Sequence, residues 1–256
     1  MFNKEVYIRR RNNLKNRVGN GIIVLAGNDE VPMNYKSNTY PFRQDSHFLY
    51  FFGIDAPKLL GVIDLENNRE FVVGDDPDLD DIIWIGSQKS LAEKASGAGI
   101  TQIVSLKEFI SYIQNRISRH DRIHILPPYS AERVMFLGEL FSCTPLEVEQ
   151  YISKNLIQAI AGLRSVKEEI EIQEMETTLD EVTSEMHVTM MKMANEGVME
   201  YEISGTVEGL ARKNDRLIPY PVICSVNGEV LHNHNHNNKL QRGKLLLLDA
   251  GCESPL

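Results

Sequence analysis

The residues of this 256-residue chain whose types and spacing could do chemistry crowd into positions 220–251. His232, His234 and His236 alternate with asparagine in Leu231-His232-Asn233-His234-Asn235-His236-Asn237-Asn238. On an extended strand, positions two apart share a face, and three imidazoles on one face could coordinate a metal ion. The same pattern fits a polar, Asn-rich hairpin with solvated histidines. Asp249 is the second candidate. It closes the apolar run Leu245-Leu246-Leu247-Leu248 and opens the turn Asp249-Ala250-Gly251. A carboxylate ending a buried strand is costly unless a cation or a hydrogen-bond donor meets it. Asp249 is therefore either a metal ligand or a well-satisfied turn residue.

Two short apolar runs must carry these side chains. Tyr220-Pro221-Val222-Ile223-Cys224-Ser225-Val226 and the run ending in Asp249 both have strand length, and the second reads as buried on both faces. Ahead of them, Ser165 and Glu168 have capping-box spacing and predict a helix start. Ile172, Met175, Leu179, Val182, Met186, Met190 and Met193 then recur at helical spacing. They predict a core stripe on a helix of about 28 residues, roughly 40 Å long. Glu169, Glu176, Asp180 and Glu181 fall on the opposite side. Glu196-Gly197 ends that helix, and a second is predicted over 200–213.

The first part of the chain reads differently. A helix is predicted over 5–18, with Val6, Tyr7, Leu14 and Val18 inward and Gly19-Asn20-Gly21 as its stop. Ile22-Ile23-Val24-Leu25 reads as a buried strand and 48–52 as another. Residues 59–65 and 70–73 form a predicted hairpin around Glu66-Asn67-Asn68-Arg69. Five of the seven residues from Asp75 to Asp81 are Asp, the composition of a solvated loop. Helices are predicted near 88–97, 106–118 and 130–140, with strands near 103 and 122–126 and a linking helix over 148–162. This alternation predicts an α/β fold.

Composition bounds the function. The net charge is −9: residues 1–160 carry 18 basic and 20 acidic side chains, and residues 161–256 carry 9 and 16. That balance excludes a general nucleic-acid partner, which needs basic surface against phosphate. Three widely spaced cysteines, Cys143, Cys224 and Cys252, form no framework and predict a reducing, cytoplasmic compartment. No apolar run approaches the length of a membrane span, so no membrane partner is expected. Arg9-Arg10-Arg11 has no apolar run behind it and is not an export signal.

Val230-Leu231-His232, followed some twenty residues on by Leu247-Leu248-Asp249-Ala250-Gly251-Cys252-Glu253, resembles the first half of the active site of the aminopeptidase P family of pita-bread metallopeptidases. Tyr40-Pro41-Phe42-Arg43-Gln44-Asp45-Ser46-His47-Phe48-Leu49-Tyr50 and Trp84-Ile85-Gly86 resemble elements of that family's N-terminal domain. Asn233 departs from the family, which usually has Tyr after the His, and Lys244 stands where an acidic or small residue is common. The resemblance implies a mixed α/β chain: a creatinase/aminopeptidase P-like N-terminal domain over 1–160, then the first half of a pita-bread α+β domain over 161–256. It implies Asp249 as a metal ligand and His232 as a catalytic residue contacting substrate. It implies two divalent metal ions, commonly manganese, with the remaining ligands beyond Leu256, so the chain is expected to be an incomplete and inactive piece of the enzyme. The implied activity is release of the N-terminal residue from peptides with proline in second position, by a homo-oligomer. Arg43 is expected to serve a structural ion pair and Trp84 to pack. The alternatives are a prolidase acting on Xaa-Pro dipeptides and a non-catalytic peptide-binding module. His232 is expected on the same side as Asp249, with His234 and His236 more exposed.

Overall fold

The computed structural model describes residues 1–256. They divide into two compact units, Met1–Val166 and Lys167–Pro255, and the chain is mixed α/β as expected.

The first unit is built on a five-stranded sheet of β1 (Ile22–Ala26), β4 (Leu60–Asp64), β5 (Arg69–Val73), β6 (Ile103–Val104) and β7 (Ile123–His124). Its order is β6-β5-β4-β1-β7. β4 runs antiparallel to both β1 and β5, while β7 is parallel to β1 and β6 is parallel to β5. The predicted hairpin forms, pairing Leu60 with Val73 and Asp64 with Arg69. Because side chains alternate along a strand, Ile23 and Leu25 enter one core with Phe48, Phe52 and Leu156. Ile22 and Val24 enter a second core with Phe71, Phe109 and Leu137. Helix α1 (Lys4–Val18) buries Val6, Tyr7, Leu14 and Val18, the four predicted inward positions. A small ribbon, β2 (Pro32–Tyr35) with β3 (Asn38–Thr39), stands apart, and β2 is exposed throughout.

The predicted strand over 48–52 is instead helix α2 (Ser46–Phe52). Its aromatic content suits a strand, but the ends decide. Asp45 accepts hydrogen bonds from the amides of His47 and Phe48 at 2.9 and 3.0 Å, and Gly53 closes the helix at φ 63°. Phe48, Phe51 and Phe52 then share one buried face at helical spacing. The Asp-rich run is a loop only in its first half. Asp78 caps helix α3 (Leu79–Ile85), whose Asp81 returns the capping bond. Helices α4 (Leu91–Ser96), α5 (Leu106–Ser118) and α6 (Ala131–Phe141) follow. The single linking helix expected over 148–162 is two pieces: a 3₁₀ segment Pro145–Tyr151 and helix α7 (Lys154–Arg164). Ile152 bridges to Ile125 between them, and Ser153 caps α7 by accepting from the Leu156 amide at 3.2 Å.

In the second unit, helix α8 (Glu169–Thr178) starts after Glu168, capped by Glu171 rather than by the Ser165–Glu168 pair. A π-helical turn, Leu179–Thr183, joins it directly to α9 (Ser184–Met193). The predicted stripe splits at this turn. Val182, Met186 and Met190 are buried, but Ile172, Met175 and Leu179 are 39, 54 and 56 % exposed. A π turn carries an extra residue and rotates what precedes it, so seven apolar residues do not make one face. Helix α10 (Glu200–Lys213) packs on α9, with Ile203 and Val207 fully buried. Strands β8 (Ile223–Ser225) and β9 (Leu247–Asp249) pair antiparallel. β9 is not buried on both faces. Leu246 and Leu248 pack toward the core, whereas Leu245 is 90 % and Leu247 36 % exposed, because a two-stranded ribbon on one layer covers one face only.

Candidate functional site

Asp249 ends β9 opposite Ile223. Its carboxylate is exposed, and its Oδ1 accepts a hydrogen bond from the Tyr220 hydroxyl at 2.6 Å. That bond, then burial and the negative charge, hold the Tyr220 phenol above its ordinary pKa. The next residue is fixed from another side: the Ala250 carbonyl accepts from His187 Nε2 of α9 at 3.1 Å. Cys252 lies 3.4 Å from the hydroxyl of Thr183 in the π turn. The turn that presents Asp249 is thus fastened by side chains from α9, the π turn and the approach to β8.

His232 lies in the loop that leaves β8 and is exposed. No hydrogen bond or ion pair joins it to Asp249. The loop is closed at its base by Glu200, the first residue of α10, which is fully buried. Its oxygens accept from the Val226 amide at 2.7 Å, the Asn238 amide at 3.2 Å and Asn238 Nδ2 at 3.0 Å. The amides of Glu200 and Tyr201 donate to the carbonyls of Asn238 and His236, each at 3.0 Å. One carboxylate at a helix N-terminus, where the backbone dipole favours negative charge, ties both ends of the loop. The Cys224 thiol beside it is pushed up to about 11 by burial and by Glu200.

The three histidines do not share a face. His236 is half-buried and its Nε2 donates to the Val222 carbonyl at 2.9 Å, while His232 and His234 are exposed. The expected order is therefore reversed for His236, because an imidazole near β8 finds a free carbonyl. No group of three or more His, Cys, Asp or Glu side chains is placed to hold a metal ion. One carboxylate with a phenol on one oxygen does not by itself fit a two-metal centre, which needs several deprotonated ligands together. The residues present supply a single candidate ligand. Glu200, Tyr220 and His187 carry no local sequence signal, since their contacts span 26 to 63 positions.

In the first unit, Arg43 is exposed and reaches Ser46 Oγ at 3.4 Å. Gln44 is buried and bonds Asn28, Ile54 and Ala56. Trp84 does not pack as expected: it is 85 % exposed on α3, a helix with no buried residue.

Comparison with known proteins matches residues 7–126 to the aminopeptidase P N-terminal domain and residues 178–255 to metallopeptidase family M24. The probable Xaa-Pro aminopeptidase of Leptosphaeria maculans is 24 % identical over 238 residues, covering 91 % of this chain and 41 % of that protein. The Xaa-Pro aminopeptidase of Haemophilus influenzae is 24 % identical over 231 residues, covering 84 % of this chain and 50 % of its own. Among solved structures, Pseudomonas aeruginosa aminopeptidase PepP superposes with a TM-score of 0.82 at 20 % identity, over 99 % of this chain and 60 % of that one. The chain spans about half the length of the curated relatives it matches. A family M24 segment implies divalent metal ions in the complete domain. No helix is long and apolar enough to cross a membrane. The chain joins an aminopeptidase P N-terminal domain to part of a family M24 metallopeptidase domain.

Proposed function

We propose that the whole protein is a metal-dependent aminopeptidase that releases the N-terminal residue from Xaa-Pro peptides, and that Asp249 and His232 are its metal ligand and catalytic residue in this chain. The observation that carries this reading is Asp249 itself. It is a carboxylate at the mouth of a turn fastened on two sides, inside the segment matched to family M24. Divalent ions, for which manganese suits an oxygen-rich set, would supply a hydroxide at neutral pH and polarise the scissile carbonyl. Asp249 Oδ2 carries no protein hydrogen bond, so it is the oxygen free to serve as ligand, while Tyr220 fixes the carboxylate by Oδ1. His232 would donate to the peptide or to the oxyanion that forms from it, a role supported by its exposure on a loop tied down by Glu200.

The proposed domains are 1–160 for the N-terminal domain and 161–256 for the first part of the catalytic one. Three unpaired cysteines support a reducing, cytoplasmic setting. The exposed apolar side of α3 supports a homo-oligomer. With one ligand, the 256-residue chain by itself is expected to hydrolyse nothing.

The test is hydrolysis by the full-length protein with manganese added. Cleavage of Xaa-Pro tripeptides, loss of cleavage with a chelator, and little action on Xaa-Ala peptides support the proposal. Cleavage of Xaa-Pro dipeptides alone would make it a prolidase. Binding of Xaa-Pro peptides without turnover would make it a non-catalytic module.

A further inference from the structure

Tyr40, Pro41, Phe42 and Arg43 help line a cavity in the first unit. The cavity measures about 570 Å³ and is lined only by residues of the first unit. That is the size of a small-molecule site, roughly 300–1,000 Å³. Its position is the one at which open α/β sheets collect ligands, outside the carboxyl ends of parallel strands. Gly27 and Asn28 follow β1, Val73 ends β5, Leu106 follows β6 and Tyr129 follows β7. These four strands run parallel, and antiparallel β4 begins at the cavity with Leu60.

The wall is held from behind. Gln44 Oε1 accepts from the Asn28 amide at 2.7 Å, and its Nε2 donates to the carbonyls of Ile54 and Ala56 at 3.1 and 2.7 Å. Arg133 donates to the carbonyls of Ala26 and Gly27 at 3.1 and 2.8 Å and meets Asp45 at 3.3 Å. A side chain at Gly27 would press on the Leu59 carbonyl at 2.9 Å and on Gln44 at 3.0 Å, so only glycine keeps the floor closed. Lys58, on the lip, adopts φ 61°. A lysine held in the left-handed region is the kind of local strain that concentrates at ligand sites.

We propose that this cavity binds a free amino acid with an apolar side chain, as the zwitterion. Phe42, Leu60, Val73 and Phe136 give the side chain an apolar interior. The lip carries both signs of charge: Arg43 and Lys58 for the carboxylate, and Asp29, Glu30 and Glu132 for the ammonium group. A lip of one sign would suit a simple anion or cation. Opposite charges around an apolar hollow suit a small zwitterion. Binding here needs no metal and no turnover, so it stands apart from the proposed peptidase reaction.

The test is calorimetric titration of the full-length protein, with a chelator present, with L-phenylalanine and, separately, with N-acetyl-L-phenylalaninamide, which keeps the ring and loses both charges. One-site binding of L-phenylalanine is expected, with the capped compound at least about tenfold weaker, a difference of about 1.4 kcal/mol. Lys58→Gln and Glu132→Gln, both on exposed side chains, should each weaken L-phenylalanine about tenfold while leaving the circular dichroism spectrum unchanged. No saturable heat up to about 10 mM amino acid, well above millimolar affinity, overturns the proposal. So does equal binding of the capped compound, and so does binding that neither lip variant weakens.

Discussion

At the scale of single residues, carboxylates do the organising, and each does it through its partners. Glu200 is buried with no cation beside it, yet it accepts hydrogen bonds from two backbone amides and an asparagine side chain. A buried carboxylate is tolerable on those terms. Glu200→Gln replaces one acceptor oxygen with an NH₂ group that faces other donors. We expect it to destabilise the second unit by about 2 kcal/mol and to speed hydrogen exchange across residues 227–237. Unchanged exchange there would mean that Glu200 does not hold the loop of His232.

A second residue-scale effect concerns acid. His124 is 1 % exposed, its Nδ1 lying 2.6 Å from Ser153 Oγ and its Nε2 3.0 Å from the Asn20 carbonyl. Burial, the larger cause, and the nearby Arg122 charge lower its pKa from the ordinary 6.5. Burial, then the Arg164 charge, lower that of His47 in the same direction. A depressed imidazole contributes stability above the unfolded value, and that contribution is lost as pH falls through the folded one. The first unit should therefore show a lower denaturation midpoint at about pH 5.5 than at about pH 7.5. His124→Asn should lessen that difference, and a variant with the same pH dependence as the parent would contradict this account.

At the scale of elements, capping outweighs composition. The run 48–52 has strand-like side chains, and only Asp45 and Gly53 at its two ends make it α2. Asp45→Ala should cost about 1–2 kcal/mol from the lost cap. The total should be larger, since Arg133 and Tyr129 also bond that carboxylate, at 3.3 and 3.0 Å. A change in urea midpoint worth less than about 0.5 kcal/mol would show that the cap is idle. Much of the fold was legible in the sequence where one local rule was unopposed. The buried run of β1, the β4–β5 hairpin and the inward side of α1 are of this kind. The π turn was not legible, since an inserted residue in a helix leaves no mark in composition, and it divides the apolar stripe of 172–193. The exposure of Leu245 was not legible either, because four consecutive leucines do not state how many faces their neighbours cover. In the candidate site, Asp249 and His232 were singled out through resemblance, and their roles are the ones proposed above. Tyr220, His187 and Glu200 were not, because their bonds join positions far apart in the chain.

At the scale of the whole molecule, one surface asks for a neighbour. Helix α3 shows Ile83, Trp84 and Ile85 at 69, 85 and 64 % exposure. Exposed apolar patches of this kind mark contact surfaces, and aromatic side chains dominate the energy of such contacts. If α3 joins copies of the protein, Trp84→Glu should lower the mass measured by light scattering, and an unchanged mass would exclude α3 from the contact. The central claim, however, rests on Asp249. Asparagine at that position keeps the shape and the contact with Tyr220 but removes the charge. Loss of a partner one step removed from a metal typically costs 10- to 100-fold, so loss of a ligand should cost more. The decisive measurement is the rate of Xaa-Pro tripeptide cleavage by full-length protein carrying Asp249→Asn, with manganese present. The account predicts a fall of at least about 100-fold with the fold intact, and parental activity in that variant would contradict it.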